Sequence, residues 1–204
     1  MSYWEHQRPV RRERAVTVPA VAGAAVALLD DGGLRALTLR AVASRLAVAP
    51  ASLYSRVDSV DDLFDLALDA ALGEDPAVAR AVVDSDLGEL MLTYYRHLAQ
   101  HRWACQVIAM RPPRGPHYLR LSERMCELLI DAGAADPLGA AYALSNFVIG
   151  SASTAPIAED QTQAPVDSAI APHYARLHAR YHDADSERIV TAGLSAILTH
   201  VGQV

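Results

Sequence analysis

From Thr17 onward, apolar residues return every three or four positions, and no stretch alternates apolar with polar residues for long enough to make a strand. A chain patterned in this way can hide its apolar faces only by packing helix against helix, so the expected fold is all-α. Hydrophobic residues make up 51% of the chain and charged residues 21%, enough apolar material for a sizeable core. No internal repeat and no glycine-rich phosphate loop is present.

The breaks in the pattern divide it. Thr17 is placed to cap a helix with Pro19 just inside it, and Val21, Ala24, Ala25, Leu28 and Leu29 line its inner face. Gly32-Gly33 stops that helix. Thr38 caps a second, with Leu39, Val42, Ala43 and Leu46 inward; Ala47-Val48-Ala49 then breaks the chain before a short segment from Pro50 to Arg56. Asp58 or Ser59 caps a helix carrying Leu63, Leu66, Ala67 and Ala70, which residues 73–76 end. Further helices are expected over 87–100, 103–110, 116–132, 137–155, 166–181 and 186–201, with a polar loop at 156–165.

Charge is unevenly spread. Residues 1–57 hold eight arginines against Glu5, Glu13, Asp30 and Asp31, whereas acidic residues outnumber basic ones two to one in the rest. A basic front on an acidic body points to a polyanion met by the front alone. The longest apolar run, 16–29, is interrupted by Thr17, Pro19 and Gly23 and is too short for a bilayer. Without a signal-like segment, and with Cys105 and Cys126 offering neither a disulfide framework nor zinc spacing, a cytoplasmic protein with no membrane partner is expected.

Two short helices around three small residues make a helix-turn-helix, whose second helix can enter a major groove. Its free face would offer Pro50, Ala51, Ser52, Tyr54, Ser55 and Arg56. The stretch LTLRAVASRLAVAPASLYSRVDSVDDLFDLAL resembles the N-terminal domain of TetR-family repressors, typically L(T/S)xRxLAxxLGVxxxTLYxHFxxKxxLL. Leu37-Thr38, Leu46, Val48, Leu53-Tyr54 and Leu63 fit without gaps. HLAQHRWACQVIAMRPPRGP, AYALSNFVIGSA and ERIVTAGLSAIL resemble the tetracycline-repressor-like regulatory domain.

The resemblance implies a basic arm at 1–16, a DNA-binding domain at 17–72 and a ligand-binding and dimerisation domain at 73–204. It implies a ligand-responsive repressor that binds double-stranded operator DNA as a homodimer and is released by a small organic effector. Arg40 falls in the column of an arginine that reads guanine, and Tyr54 in that of a tyrosine whose hydroxyl meets phosphate. Thr38 caps beside the DNA backbone, Ala51, Ser52 and Ser55 share the presented face, and Arg56 stands where His or an aromatic residue is usual. Two positions depart from the pattern. The turn glycine is Ala47, which suits only a backbone without positive φ. The phosphate-gripping lysine is Val60, flanked by Asp58, Asp61 and Asp62, whose carboxylates would repel DNA. The arm from Arg8 to Arg14 would compensate by entering the minor groove.

In the body, Tyr94, His97, His101, Met110, His117, Tyr118, Tyr142 and Asn146 are polar or adaptable groups among apolar helices, the usual lining of a small-molecule pocket. Phe147, Gly150, Ile189, Gly193, Ile197 and Val201 are expected at a four-helix dimer seam. His97/His101 and His178/His182 have the i,i+4 spacing of paired ligands but no third ligand in pattern, so neither metal nor cofactor is expected. The resemblance gives the same answer. Where the tetracycline repressor holds a drug–magnesium complex through a histidine and an amide, the columns here are Val107 and Leu90. Two other readings stay open on the residues alone. One is a helical interaction module with a degenerate helix-turn-helix. The other is a small helical enzyme drawing on Ser122, Glu123 and His117, or on Cys105 and His101.

Overall fold

The computed structural model describes residues 16–157, 164–180 and 185–201, and every regular element among them is helical. The helices are α1 (Val18–Gly32), α2 (Leu39–Arg45), α3 (Val60–Glu74), α4 (Pro76–Asp84), α5 (Leu87–Gln100), α6 (Arg102–Met110), α7 (Pro116–Asp131), α8 (Pro137–Thr154), α9 (Pro172–His178) and α10 (Ser186–Val201). Among the described residues no helix is long and apolar enough to cross a membrane.

Local capping chemistry sets the boundaries. Thr17, Thr38, Ser59, Asp75, Asp86 and Asp136 each accept a backbone N–H of the first turn they precede. Asp62 answers Ser59 in a reciprocal box, its Oδ2 accepting the Ser59 amide at 3.1 Å. Gly33, at φ 66°, returns its N–H to Leu29 and closes α1.

Packing follows the apolar faces. Val21, Ala25 and Leu29 of α1 meet Leu63, Leu66 and Ala67 of α3, with Val42, Ala43 and Leu53 completing a small head. Behind it α5 runs through the body, burying Leu87, Leu90, Met91, Tyr94, Tyr95 and Leu98 against α4, α7, α8 and α10. Arg96 of α5 forks onto Glu187 at the start of α10, tying the last helix to the centre.

Four expectations are corrected. Residues 76–84 form a helix where a simple stop was expected, because Asp75-Pro76 both ends α3 and caps α4. Pro50–Ser55 is a 3-10 helix rather than an α-helix. The helix expected over 166–181 is confined to Pro172–His178; Pro172 forces Ala171 out of helical geometry. Ala47 does adopt positive φ, 54°, the left-handed conformation that a glycine would hold without strain.

That strain yields a prediction. Ala47→Gly removes a left-handed penalty of about 1–2 kcal/mol but frees the unfolded chain by about 0.4–1 kcal/mol. The net expectation is a gain of about 0.5–1 kcal/mol, read as a higher urea midpoint at unchanged slope. A lower midpoint would show that the turn is not strained.

Candidate nucleic-acid interface and effector site

Leu53 is fully buried beneath the 3-10 segment, so its neighbours turn outward. Thr38, Arg40, Ala51, Ser52, Tyr54 and Ser55 are all exposed, Tyr54 by 57%. The Thr38 hydroxyl accepts the Ala41 amide at 3.0 Å, and the Ser55 hydroxyl donates to the Ser52 carbonyl at 2.9 Å. Arg56 departs from the expected face. It is only 9% exposed, and its Nε donates to the Val16 carbonyl at 2.7 Å, pinning the chain that enters α1. The fit of Val57 and Leu53 into the head core carries the Arg56 side chain inward with them. The arm at 8–14 lies outside the described residues.

The acidic start of α3 is occupied within the protein. Asp61, Asp65 and Asp69 recur every four residues, on one face of the helix. Arg111, just past α6, bonds both oxygens of Asp65 at 2.8 and 2.9 Å and reaches Asp61 at 2.7 Å. Asp62 is spent on the capping box. Asp69, buried one turn further on, accepts the amides of His117 and Tyr118. Burial pushes the Asp69 carboxyl above its ordinary value, against the pull of those two amides and the neighbouring His117 and Arg120.

At the other end of α6, Asp30 of α1 accepts from the Trp103 indole at 2.7 Å and pairs with His101 Nδ1 at 2.8 Å. His97 Nδ1 meets Asp75 at 3.1 Å, and the two imidazoles lie 5.0 Å apart, so each is engaged with its own carboxylate. A cavity of about 180 Å³ opens at this junction, lined by Val26, Ala71, Glu74, Asp75, Pro76, Gln100 and His101.

Of the residues expected to line a pocket, Tyr94, His97 and Tyr118 are enclosed in the body core. His101 sits at the head–body junction, and His117 lies half-buried against α3, its ring filling the space left by Gly73. Met110, Tyr142 and Asn146 face solvent, a correction to the expected lining. Leu138, Tyr142, Asn146 and Gly150 recur every four residues along the outer face of α8. Val107 and Leu90 are buried.

The expected seam divides in the same way. Gly193 lacks the Cβ that would overlap the Phe147 ring, so these two residues join α10 to α8 within one chain. Ile197 is half-buried, while Ile189 and Gly150 are exposed. His182 and the side chain of Val201 lie outside the described residues. Of the residues in the enzymatic reading, the Ser122 hydroxyl donates to the Tyr118 carbonyl of its own helix, and burial pushes the Cys105 thiol up.

Burial holds His97 below the ordinary imidazole value of 6.5, with Asp75 opposing the shift. The unfolded chain therefore takes up a proton before the folded chain does. The stabilisation is present above about pH 6.5 and is lost as pH falls through the lowered folded value. A plot of denaturation midpoint against pH should decline below about pH 6.5, and His97→Gln should flatten that part of the curve. An unchanged slope in the variant would contradict the assignment.

Two family descriptions match the chain: "Bacterial regulatory proteins, tetR family" over residues 21–67, and "Tetracyclin repressor-like, C-terminal domain" over 84–197. An HTH-type transcriptional regulator of Saccharopolyspora erythraea is 38% identical over 185 residues, covering 85% of this chain and 77% of that protein. The transcriptional regulator SCO7222 of Streptomyces coelicolor superposes with a TM-score of 0.77 at 25% identity, covering 92% of this chain and 98% of its own. ActR of the same organism, in complex with actinorhodin, superposes with a TM-score of 0.73 at 26% identity, covering 91% and 95%. With its helix-turn-helix head joined to a tetracycline-repressor-like body, the chain belongs to the TetR family of transcriptional regulators.

Proposed function

We propose that this regulator is a cytoplasmic repressor that binds a near-palindromic operator as a homodimer and leaves it when the body takes up a metal-free organic effector. The observation that carries the reading is the exposed set Arg40, Ala51, Ser52, Tyr54 and Ser55 over the buried Leu53, on a head whose acidic helix start is already paired. The Arg40 fork suits the two major-groove acceptors of guanine, and the Tyr54 hydroxyl suits a phosphate. The head at 17–72 reads DNA and the body at 73–204 senses and dimerises.

Two-fold symmetry would bring the outer stripe of α8 and the Ile189 side of α10 against their copies, presenting the same recognition segment to successive major grooves. The effector is taken as a polycyclic aromatic molecule. The enclosed Tyr94, Tyr118 and His97 in an apolar core support this, as does the relative that holds actinorhodin. Buried Val107 and Leu90 offer no metal ligand and no amide bond, which favours a mechanism without magnesium. Effector binding must favour the released arrangement by about 5.5 kcal/mol to move the population from 1:99 to 99:1. α6 suits the transmission, because Asp30 holds one end and Asp61 with Asp65 the other.

Arg40→Ala should lose about 1–3 kcal/mol of discrimination at one base pair per half-site, whereas Tyr54→Phe should weaken all duplexes alike. Unchanged base preference in Arg40→Ala would displace the assignment. For assembly, Gly150→Arg is the clean probe, since no atom lies within 4 Å of a Cβ there and the fold is spared. It should sediment as a monomer. A persisting dimer would move the interface away from α8.

A further inference from the structure

Base contacts select the sequence of a half-site, but the distance between two half-sites has to be set elsewhere. Each base pair added between them moves one half-site by about 3.4 Å along the duplex and turns it by about 35°. A dimer follows such a change only if its heads can swing on its bodies. In this chain Arg111 stands where swinging would begin. All three nitrogens of its guanidinium are engaged on α3: Nε and Nη2 donate to the two oxygens of Asp65 at 2.8 and 2.9 Å, and Nη1 lies 2.7 Å from Asp61. α3 begins at Val60, five residues beyond the end of the recognition segment at Ser55.

The other side of Arg111 is fixed in the body. Its amide donates to the carbonyl of Val107, a fully buried residue of α6, at 3.0 Å. Pro112 confines Arg111 to an extended backbone, φ −154° and ψ 138°, and Pro112-Pro113 fix φ at the next two residues. The guanidinium is thus a planar fork on a stiff mount. Stability alone does not account for it. The Arg111 and Asp61 side chains are 30% and 68% exposed, and ion pairs so open to water contribute little to folding. A fork that satisfies one carboxylate with two parallel bonds and a second with a third bond contributes direction instead.

We propose that Arg111 is the positioning residue for half-site spacing: its fork on Asp65 and Asp61 holds the recognition segment at one angle to the body, so the dimer accepts one spacer length. This rests on the homodimeric operator reading above and adds to it a residue outside the presented face. Arg111→Lys keeps the charge but replaces the fork with a point charge that cannot hold both oxygens of Asp65 in one plane. Asp65→Ala cuts the same contact from the head side and removes a negative charge from the DNA-binding domain. The first variant leaves the net charge alone and the second makes it less negative. A change common to both therefore comes from orientation and not from attraction to phosphate.

The test uses the full chain and an operator that the protein itself selects from random DNA, compared with duplexes whose spacer is one base pair longer or shorter. The parent should bind the altered spacers much more weakly than the selected one. Arg111→Lys and Asp65→Ala should each shrink that penalty at least about fivefold, while the cost of a base change within a half-site stays within about twofold of the parent. Their melting temperatures should stay within about 4 °C of it. The double variant should shrink the penalty no further than the larger single change, since both cut one contact. Hydrogen exchange on the unaltered protein is independent of either variant's folding: the Arg111 Nε–H should exchange more slowly on the selected spacer than on the longer one. An undiminished spacer penalty in both variants, a matching loss of half-site preference, or equal Nε–H exchange on the two duplexes overturns the proposal while operator binding stands. So does a parent that binds all three spacers alike. Selection of a lone half-site, or of no duplex, overturns the homodimeric reading and this proposal with it.

Discussion

Three carboxylates one helical turn apart on α3 fix how the head sits on the body. The opposite side of the helix, with Leu63, Leu66 and Ala67, belongs to the head core, while Asp61, Asp65 and Asp69 take up the segment from Arg111 to Tyr118. Such groups cost free energy when they leave water, and their attraction to partners roughly returns it, so the pairs add little net stability. What they add is geometry. An apolar patch slides, whereas a guanidinium forked on one carboxylate and two amides on another permit a single placement. The same pairs ease the charge conflict at the front of the molecule. Arg111 offsets one of the two charges of Asp61 and Asp65, and Asp62 is turned to capping, so the carboxylates beside Val60 face a DNA backbone somewhat less strongly than their count suggests.

Capping and core patterning were legible in the sequence because both are local. Thr17 and Thr38 act within three residues of their partners, and the inner faces of α1 and α2 follow directly from the helical period. Helix α4 at 76–84 is hidden in the sequence because Asp-Pro ends one helix and begins another with the same two residues. Its caps were readable, but the strength of the stop concealed them. At 47 the family pattern asked for glycine and the fold held to that geometry with alanine in place.

The site was less legible, since its decisive contacts join distant parts of the chain. Arg56 bonds a carbonyl 40 residues away, Arg111 a carboxylate 46 away, and Asp69 an amide 49 away. No local pattern separates Arg56 from its exposed neighbours; its burial comes from α1 arriving beside it. The spacing of Asp61, Asp65 and Asp69 was visible, but an acidic stripe on a helix looks the same facing solvent as facing an arginine. Tyr94, Tyr118 and Tyr142 are alike in sequence context, yet two are enclosed and one is 62% exposed. For the same reason Gly193 and Phe147 read as a seam between subunits, although each fills the other's space within one chain.

The two ends of α6 bring these contacts together. Nine residues of α-helix span roughly 14 Å, and this span runs from the Asp30 pairings of His101 and Trp103 to the Asp61 and Asp65 pairings of Arg111. Its middle is fixed in the body by Ala104, Cys105 and Val107. A rigid rod held at both ends by the head and along its length by the body cannot shift at one point alone. Displacement of its core face carries both anchor points, on α1 and α3, together, because the head's own core holds their relative position fixed. The head must therefore rotate as a unit rather than deform. In a two-fold assembly, equal rotations of two heads change the separation of their recognition segments by twice the single movement, which is how a sub-ångström change in packing can become a mismatch with successive major grooves.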